Sequence, residues 1–210
     1  SSIEYYSVDE VGNTETVRSE QVFVDDTAPV TGDDAPADWV NGPVSVTLSA
    51  ADALSGVDAT HYSIDGGEPA VYGAPIVVSA EGTTTIEYYS VDEVGNTETA
   101  HSTTVRIDDS APTSISDIDP AWHTGPVTVT LSAADALSGV QATYYSVDGG
   151  QMTLYAAPFQ VSAEGTSSIE YYSVDEVGNT ETVHGRQGVV EGTGADTGGG
   201  RPADKVNGPV

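Results

Sequence analysis

The sequence predicts an all-β chain built from tandem antiparallel β-sandwich repeats of one fixed length. Self-similarity comes first. The segment IEYYSVDEVGNTET begins at Ile3, Ile86 and Ile169, and 86 − 3 and 169 − 86 are both 83. The motif [NT]GPV begins at Asn41, Thr124 and Asn207, and LSAADALSGV at Leu48 and Leu131, with the same spacing. The second observation is alternation. Val44, Val46 and Leu48 are interleaved with Ser45, Thr47 and Ser49, and Val127, Val129 and Leu131 with Thr128, Thr130 and Ser132. A period of two marks a half-buried strand. The third is residue choice: Thr, Val, Tyr and Ile fill these segments, and Gly and Pro flank them. A unit as long as the interval from Ile3 to Ile86 exceeds a solenoid repeat and suits one small self-contained sandwich.

The period sets the domain frame. Residues 1–24 are the C-terminal strands of a truncated repeat, 25–107 and 108–190 are complete repeats, and 191–210 open a further one. Along each repeat, the [NT]GPV strand is followed by THYSIDGG or TYYSVDGG, whose Asp-Gly-Gly ending signals a hairpin. Ile76 with Val78, and Phe159 with Val161, mark a further strand, and Ala-Glu-Gly turns follow at 80–82 and 163–165. EYYSVD, EVGN and TET read as the closing hairpin, which brings each repeat to about seven strands. Trp39 and Trp122 precede the [NT]GPV strand, where a core plug at the sandwich end is expected. In the pairs Tyr88-Tyr89 and Tyr171-Tyr172 one ring should face the core and the other outward, with Tyr62 and Tyr145 on the neighbouring strand. The last segment departs from the pattern. Asp26, Ala28, Pro29 and Trp39 correspond to Gly192, Gly194, Ala195 and Lys205, and no stable strand is expected from about 185 to 204.

Composition narrows the function classes. There are 33 acidic and 5 basic residues, a formal charge of −28. A nucleic-acid footprint, which needs clustered Lys and Arg, is excluded, and anionic membrane surfaces are disfavoured. Divalent cations are the natural counterpart of so many carboxylates. The acidity also fits a salt-rich habitat, where charge repulsion is screened. There is no cysteine, hence no disulfide, thiolate metal site or thiol nucleophile. No run of 18 apolar residues is present to span a membrane as a helix. A lipid-facing barrel would need an apolar outer face, and the outer positions here are Ser, Thr and Glu.

The order DDTAP, W-x-[NT]GPVxVTLSAxDxxSGV, ATYYSVDGG, VSAEGTxxIEYYSVDxxGNTET resembles the immunoglobulin-like, fibronectin III-like repeats called OmpL47-type. The resemblance covers both complete repeats and the N-terminal tail. It implies modules of secreted and surface proteins of bacteria and archaea, beside hydrolase or carbohydrate-binding domains. An extracellular or cell-surface location is therefore expected.

Three acidic segments should converge at one pole of each sandwich, because successive loops alternate between its two ends. They carry Asp25, Asp26, Asp52, Asp92 and Asn96 in one repeat, and Asp108, Asp109, Asp135, Asp175 and Asn179 in the next. Calcium takes six to eight oxygen ligands from loops of this kind. The competing reading is structural. Asp before a turn bonds its own backbone two residues on, and Gly95-Asn96 suits positive φ. The turn reading carries somewhat more weight, since no EF-hand spacing is present. The four histidines share no metal-site spacing and are expected at the surface.

No GxSxG, HExxH or phosphate-cradling Gly loop occurs. A near-identical repeated unit also multiplies length and surface more naturally than active sites. The expectation is a non-catalytic spacer or stalk that contacts neighbouring repeats of the same chain and presents a distal adhesive or catalytic domain. The alternative is an adhesion module that grips polysaccharide or a matrix protein through exposed Tyr and loop residues.

Overall fold

The computed structural model of the chain describes residues 1–191. All regular elements among them are strands. They fall into two compact units, divided between Ile107 and Asp108.

The first unit opens with a hairpin of β1 (Ser2–Tyr5) and β2 (Arg18–Gln21). Then follow β3 (Val30–Asp33), β4 (Trp39–Val40), β5 (Val44–Val46), β6 (Leu48–Ala51), β7 (Val57–Ile64), β8 (Ala70–Val71), β9 (Ile76–Val78), β10 (Gly82–Asp92) and β11 (His101–Ile107). One layer is a five-stranded sheet in the order β4-β11-β10-β7-β8. The facing layer pairs β3 with β6 and β5 with β9. Thr47 separates β5 from β6, and its N–H is taken by the Asp34 carboxylate at 2.6 Å. The chain thus changes partner at Thr47 without leaving an orphan donor. Val46, Leu48, Ile76 and Val78 from one layer meet Ile86, Tyr88, Val105 and Ile107 from the other. This is an immunoglobulin/fibronectin III-like antiparallel sandwich, and β4 closes its edge by pairing in parallel with β11.

The second unit repeats the arrangement. Its strands are β12 (Thr113–Ser116), β13 (Trp122–Thr124), β14 (Val127–Val129), β15 (Leu131–Ala134), β16 (Val140–Val147), β17 (Thr153–Leu154), β18 (Phe159–Val161), β19 (Gly165–Asp175) and β20 (His184–Glu191). The five-stranded sheet runs β13-β20-β19-β16-β17, and β12 pairs with β15 and β14 with β18. Val129, Leu131, Val161, Ile169 and Tyr171 form the core, with Tyr145 stacked on Phe159 at 4.0 Å beside it. Burying one such side chain stabilises the fold by about 1.5–3 kcal/mol.

The Asp-Gly signal becomes a tight turn. Asp65 and Gly66 both take positive φ, 49° and 72°, and the Gly67 N–H donates to Ile64 O at 2.9 Å. Asp148 and Gly149 repeat this geometry. Two successive positive φ values match the twist of the flanking strands, and Gly supplies one without steric strain.

Alternation also corrects two expectations. Trp122 is not a core plug: it is 64% exposed, and Trp39 is only half-buried. Trp39 stands opposite Arg106 on the outer side of the sheet, so it is Val40, one position on, that packs against the core. In the second unit Trp122 stands opposite Val189, and His123 stands opposite the buried Val190. The expectation of no stable strand from about 185 fails as far as Glu191. β20 pairs with β19 through seven register positions and with β13 through three. Its ladder uses backbone groups, so Gly185 and Gly188 weaken it without preventing it. The rest of that expectation, and the fragment 191–210 beyond Glu191, lie outside the described residues.

The N-terminal hairpin has the register of β10 and β11, displaced by one sequence period: Ser2 opposes Gln21 as Thr85 opposes Thr104. Its core-type side chains are bare. Ile3 is 54% exposed, whereas Ile86 is 0%.

Candidate functional site

The pole where each sandwich begins is built from three loops. In the first unit these are the segment before β3, the β6–β7 loop and the β10–β11 loop. They place carboxylate oxygens of Asp25, Asp52 and Asp92 within 4.8 Å of one another. The second unit does the same with Asp108, Asp135 and Asp175. Asp92, Asp108 and Asp175 are buried, and the other three are half-buried. Asp26 and Asp109 stand outside these groups and are exposed.

Each carboxylate also organises its own loop. Asp92 Oδ1 accepts the N–H groups of Val94 (3.0 Å) and Asn96 (2.7 Å), and its Oδ2 accepts the Asn96 side-chain amide (2.7 Å). Asp175 treats Val177 and Asn179 in the same way. Asp52 Oδ1 accepts from Leu54 and Gly56, and Asp135 Oδ1 from Leu137 and Gly139. Asp25 reaches across to the Ser55 N–H at 2.9 Å, and Asp108 to the Ser138 N–H at 2.9 Å. Asn96 and Asn179 turn their amide nitrogens to the backbone oxygens of Asp25 and Asp108. Each asparagine therefore braces two of the acidic segments.

Asp25, Asp92 and Asp108 are held below the ordinary carboxyl value. Ser55 and the Thr27 N–H draw Asp25 below its ordinary value, against its burial and the opposing charge of Asp92. Burial pushes Asp92 up, but the Asn96, Val94 and Gly95 bonds outweigh it and leave the group lowered. Asp108 is lowered in the same way by Ser138 and Ser110 against its burial. Among the described residues every ion pair involves a histidine, and none reaches these groups. Each pole thus combines clustered negative charge with oxygen ligands, the ligand type that hard divalent ions prefer.

A second polar cluster was not anticipated from the sequence. The Glu98 and Glu181 side chains are only 6% and 7% exposed. Glu98 accepts the Thr31 N–H (3.0 Å), the Thr31 hydroxyl and the Ser90 N–H (2.7 Å), and His101 Nε2 lies 3.2 Å away. Glu181 repeats this with Ser114, Ser173 and His184. Hydroxyl chains run on from it, Thr31–Ser90–Thr60 and Ser114–Ser173–Thr143. His101 and His184 also stack on Tyr88 and Tyr171. His101 is exposed, as expected of a surface residue, and His184 is half-buried, and these contacts hold both rings in place. The only signal in the sequence is the recurrence of Glu in TET, which periodicity cannot distinguish from a solvated turn.

The outer tyrosines stack across strands. Tyr172 lies on Tyr144 at 5.3 Å, and Tyr89 on His61 at 5.1 Å. Within each of these pairs one ring covers the face of the other.

The two units differ at one buried bond. The Tyr88 hydroxyl donates to Asp33 Oδ2 at 2.6 Å. The equivalent Tyr171 hydroxyl and Ser116 hydroxyl are buried with no partner. Ser116→Asp is expected to supply the missing acceptor and to raise the stability of the second unit by about 1 kcal/mol. Urea titration of the variant checks this; an unchanged or lower midpoint would refute it.

No protein-family model and no curated protein match the chain. Solved structures that it is similar to include fibronectin(III)-like modules of Clostridium thermocellum CbhA. There the identity is 13%, the match covers 78% of this chain and 95% of that one, and the TM-score is 0.39. A 1.5-MDa bacterial ice-binding adhesin matches at 19% identity over 89% and 72% of the two chains, with a TM-score of 0.41. The D00-D0 domain of intimin matches at 10% identity over 73% and 98%, with a TM-score of 0.39. At these scores the fold rests on the strand pairing itself.

Proposed function

We propose that the chain is a run of non-catalytic, OmpL47-type spacer repeats from an extracellular or cell-surface protein. The repeats hold a distal adhesive or catalytic domain away from its anchorage. One observation carries this reading: the same sandwich, with its own core and the same three-carboxylate pole, is built twice from one sequence period. The pole is proposed to take a divalent cation, calcium by its preference for oxygen ligands. Asp25, Asp52 and Asp92 would hold it in one repeat, and Asp108, Asp135 and Asp175 in the other.

Calorimetry in calcium and in chelator tests the proposal. At a calcium concentration 100-fold above Kd, binding to the folded state alone adds about 2.7 kcal/mol. That corresponds to a rise of roughly 10 °C or more in melting temperature for a domain of this size. Asp52→Asn with Asp135→Asn keeps the loop acceptors and should remove most of the rise. Equal melting points in calcium and chelator would leave the poles as ordinary acidic turns. The spacer reading itself would fall if the chain were retained on insoluble polysaccharide.

A further inference from the structure

Each repeat has two ends through which tension would pass. In the second unit the chain enters at Asp108, runs through β12, and leaves through β20. β12 pairs with β15 in one layer, while β20 belongs to the five-stranded layer. No backbone ladder joins β12 to β20. Further along, β13 meets β20 in parallel through three register positions.

Glu181 crosses that gap with a side chain. It stands three residues before β20. It accepts both the N–H and the hydroxyl of Ser114 on β12, and the Ser173 N–H on β19. His184, the first residue of β20, lies 3.0 Å from its Oε2. Glu98 makes the same bridge from Thr31 on β3 to Ser90 on β10 and His101 on β11.

We propose that this buried carboxylate is the mechanical strap of each repeat, tying the first strand directly to the last hairpin. Parallel strands pulled from opposite ends are loaded in shear, so the β13–β20 rungs share the force. β12 lacks that protection, because it is joined to a different layer from the one that bears the exit strand. The strap carries tension from Ser114 into Glu181, three residues from β20, before it reaches β13. Charge-assisted bonds are the strong kind, and burial keeps water from competing for them. Several donors on one carboxylate must also be lost together before the strap opens. The inference takes its biological sense from the spacer reading, since a spacer carries tension. Its test does not depend on calcium or on any binding partner.

The full chain is held by its termini at constant force in chelator, and the first unit serves as the reference within each molecule. Ser114→Ala and Glu181→Gln should make the second unit yield about ten-fold faster at a given load. The first unit should be unaffected. Thr31→Val should move the effect to the first unit. Val161→Ala weakens the core away from the path, so it should speed unfolding in denaturant more than under load. If the strap variants gain no more under load than Val161→Ala does at a matched loss of stability, the proposal is overturned. Ser114→Ala keeps the carboxylate and its backbone donors, so it remains informative even if Glu181→Gln folds poorly.

Discussion

Asp175→Ala is expected to destabilise the second unit by about 3 kcal/mol in chelator at neutral pH. Two effects oppose each other. The substitution relieves repulsion from Asp108 and Asp135, whose carboxylate oxygens lie within 4.8 Å. At that distance each pair is worth about 1–3 kcal/mol, depending on local screening. It also strands the Val177 N–H, the Asn179 N–H and the Asn179 side-chain amide, all of which donate to this carboxylate. Bonds to a charged acceptor are worth about 1.5–3 kcal/mol each, so the three together outweigh the relief. Asp175→Asn removes the same charge but keeps an oxygen for the backbone donors. It should therefore fall far less, and can even gain if repulsion dominates. The pair of variants separates the two effects in one urea titration. Equal losses for alanine and asparagine would mean that the charge, and not the bonding, matters at this pole.

The second large effect is acid unfolding. Asp25, Asp33, Asp92, Asp108 and Glu181 are all held below their ordinary values, 3.8 for Asp and 4.5 for Glu. For Glu181, burial pushes upward, and the Ser114, His184 and Ser173 bonds more than compensate. A group depressed on folding binds its proton more readily in the unfolded chain. Its contribution is complete above the unfolded value and is lost as pH falls through the folded one. Stability should hold from neutrality to about pH 5 and drop steeply below pH 4. Neutralising exposed carboxylates works the other way, by relieving the charge of −28. Half-molar salt screens that contribution and isolates the buried groups. Tyr88 predicts a limb at the opposite end. Its burial and its bond to Asp33 raise it to about 12, so its contribution is complete below pH 10 and is lost between 10 and 12. Melting temperature against pH in half-molar salt checks both limbs. A melting point that rose steadily down to pH 3 would contradict the acid limb.

The sandwich could be read in advance because its signals are local and repeated. Alternation in Val44–Leu48 and Val127–Leu131, the Asp-Gly turns and the fixed sequence period each rest on short-range chemistry. The gathering of Asp25, Asp52 and Asp92 was legible for a topological reason, since alternate loops of a sandwich return to one end. Its finer structure was not. Asn96 and Asn179 brace the carboxylates through their amide nitrogens, a choice that depends on side-chain angles. The strap was hidden because Glu98 and Glu181 lie in irregular chain just before β11 and β20, where no periodicity marks an inward residue. The tryptophans misled because size suggests burial, whereas in the first unit the pleat assigned the inward position to Val40.

The hydroxyl chains beneath the acidic poles bear on how the protein meets temperature. Thr31, Ser90, Ser114 and Ser173 are buried where larger apolar side chains could have stood. Exposing apolar surface raises the heat capacity of the unfolded chain, and exposing polar surface lowers it. A sandwich with a partly hydroxylated interior therefore has a smaller heat-capacity increment than an all-apolar one of the same length. Its free energy of unfolding varies gently with temperature, so the repeat keeps a moderate stability across a wide thermal range instead of a high one at a single optimum.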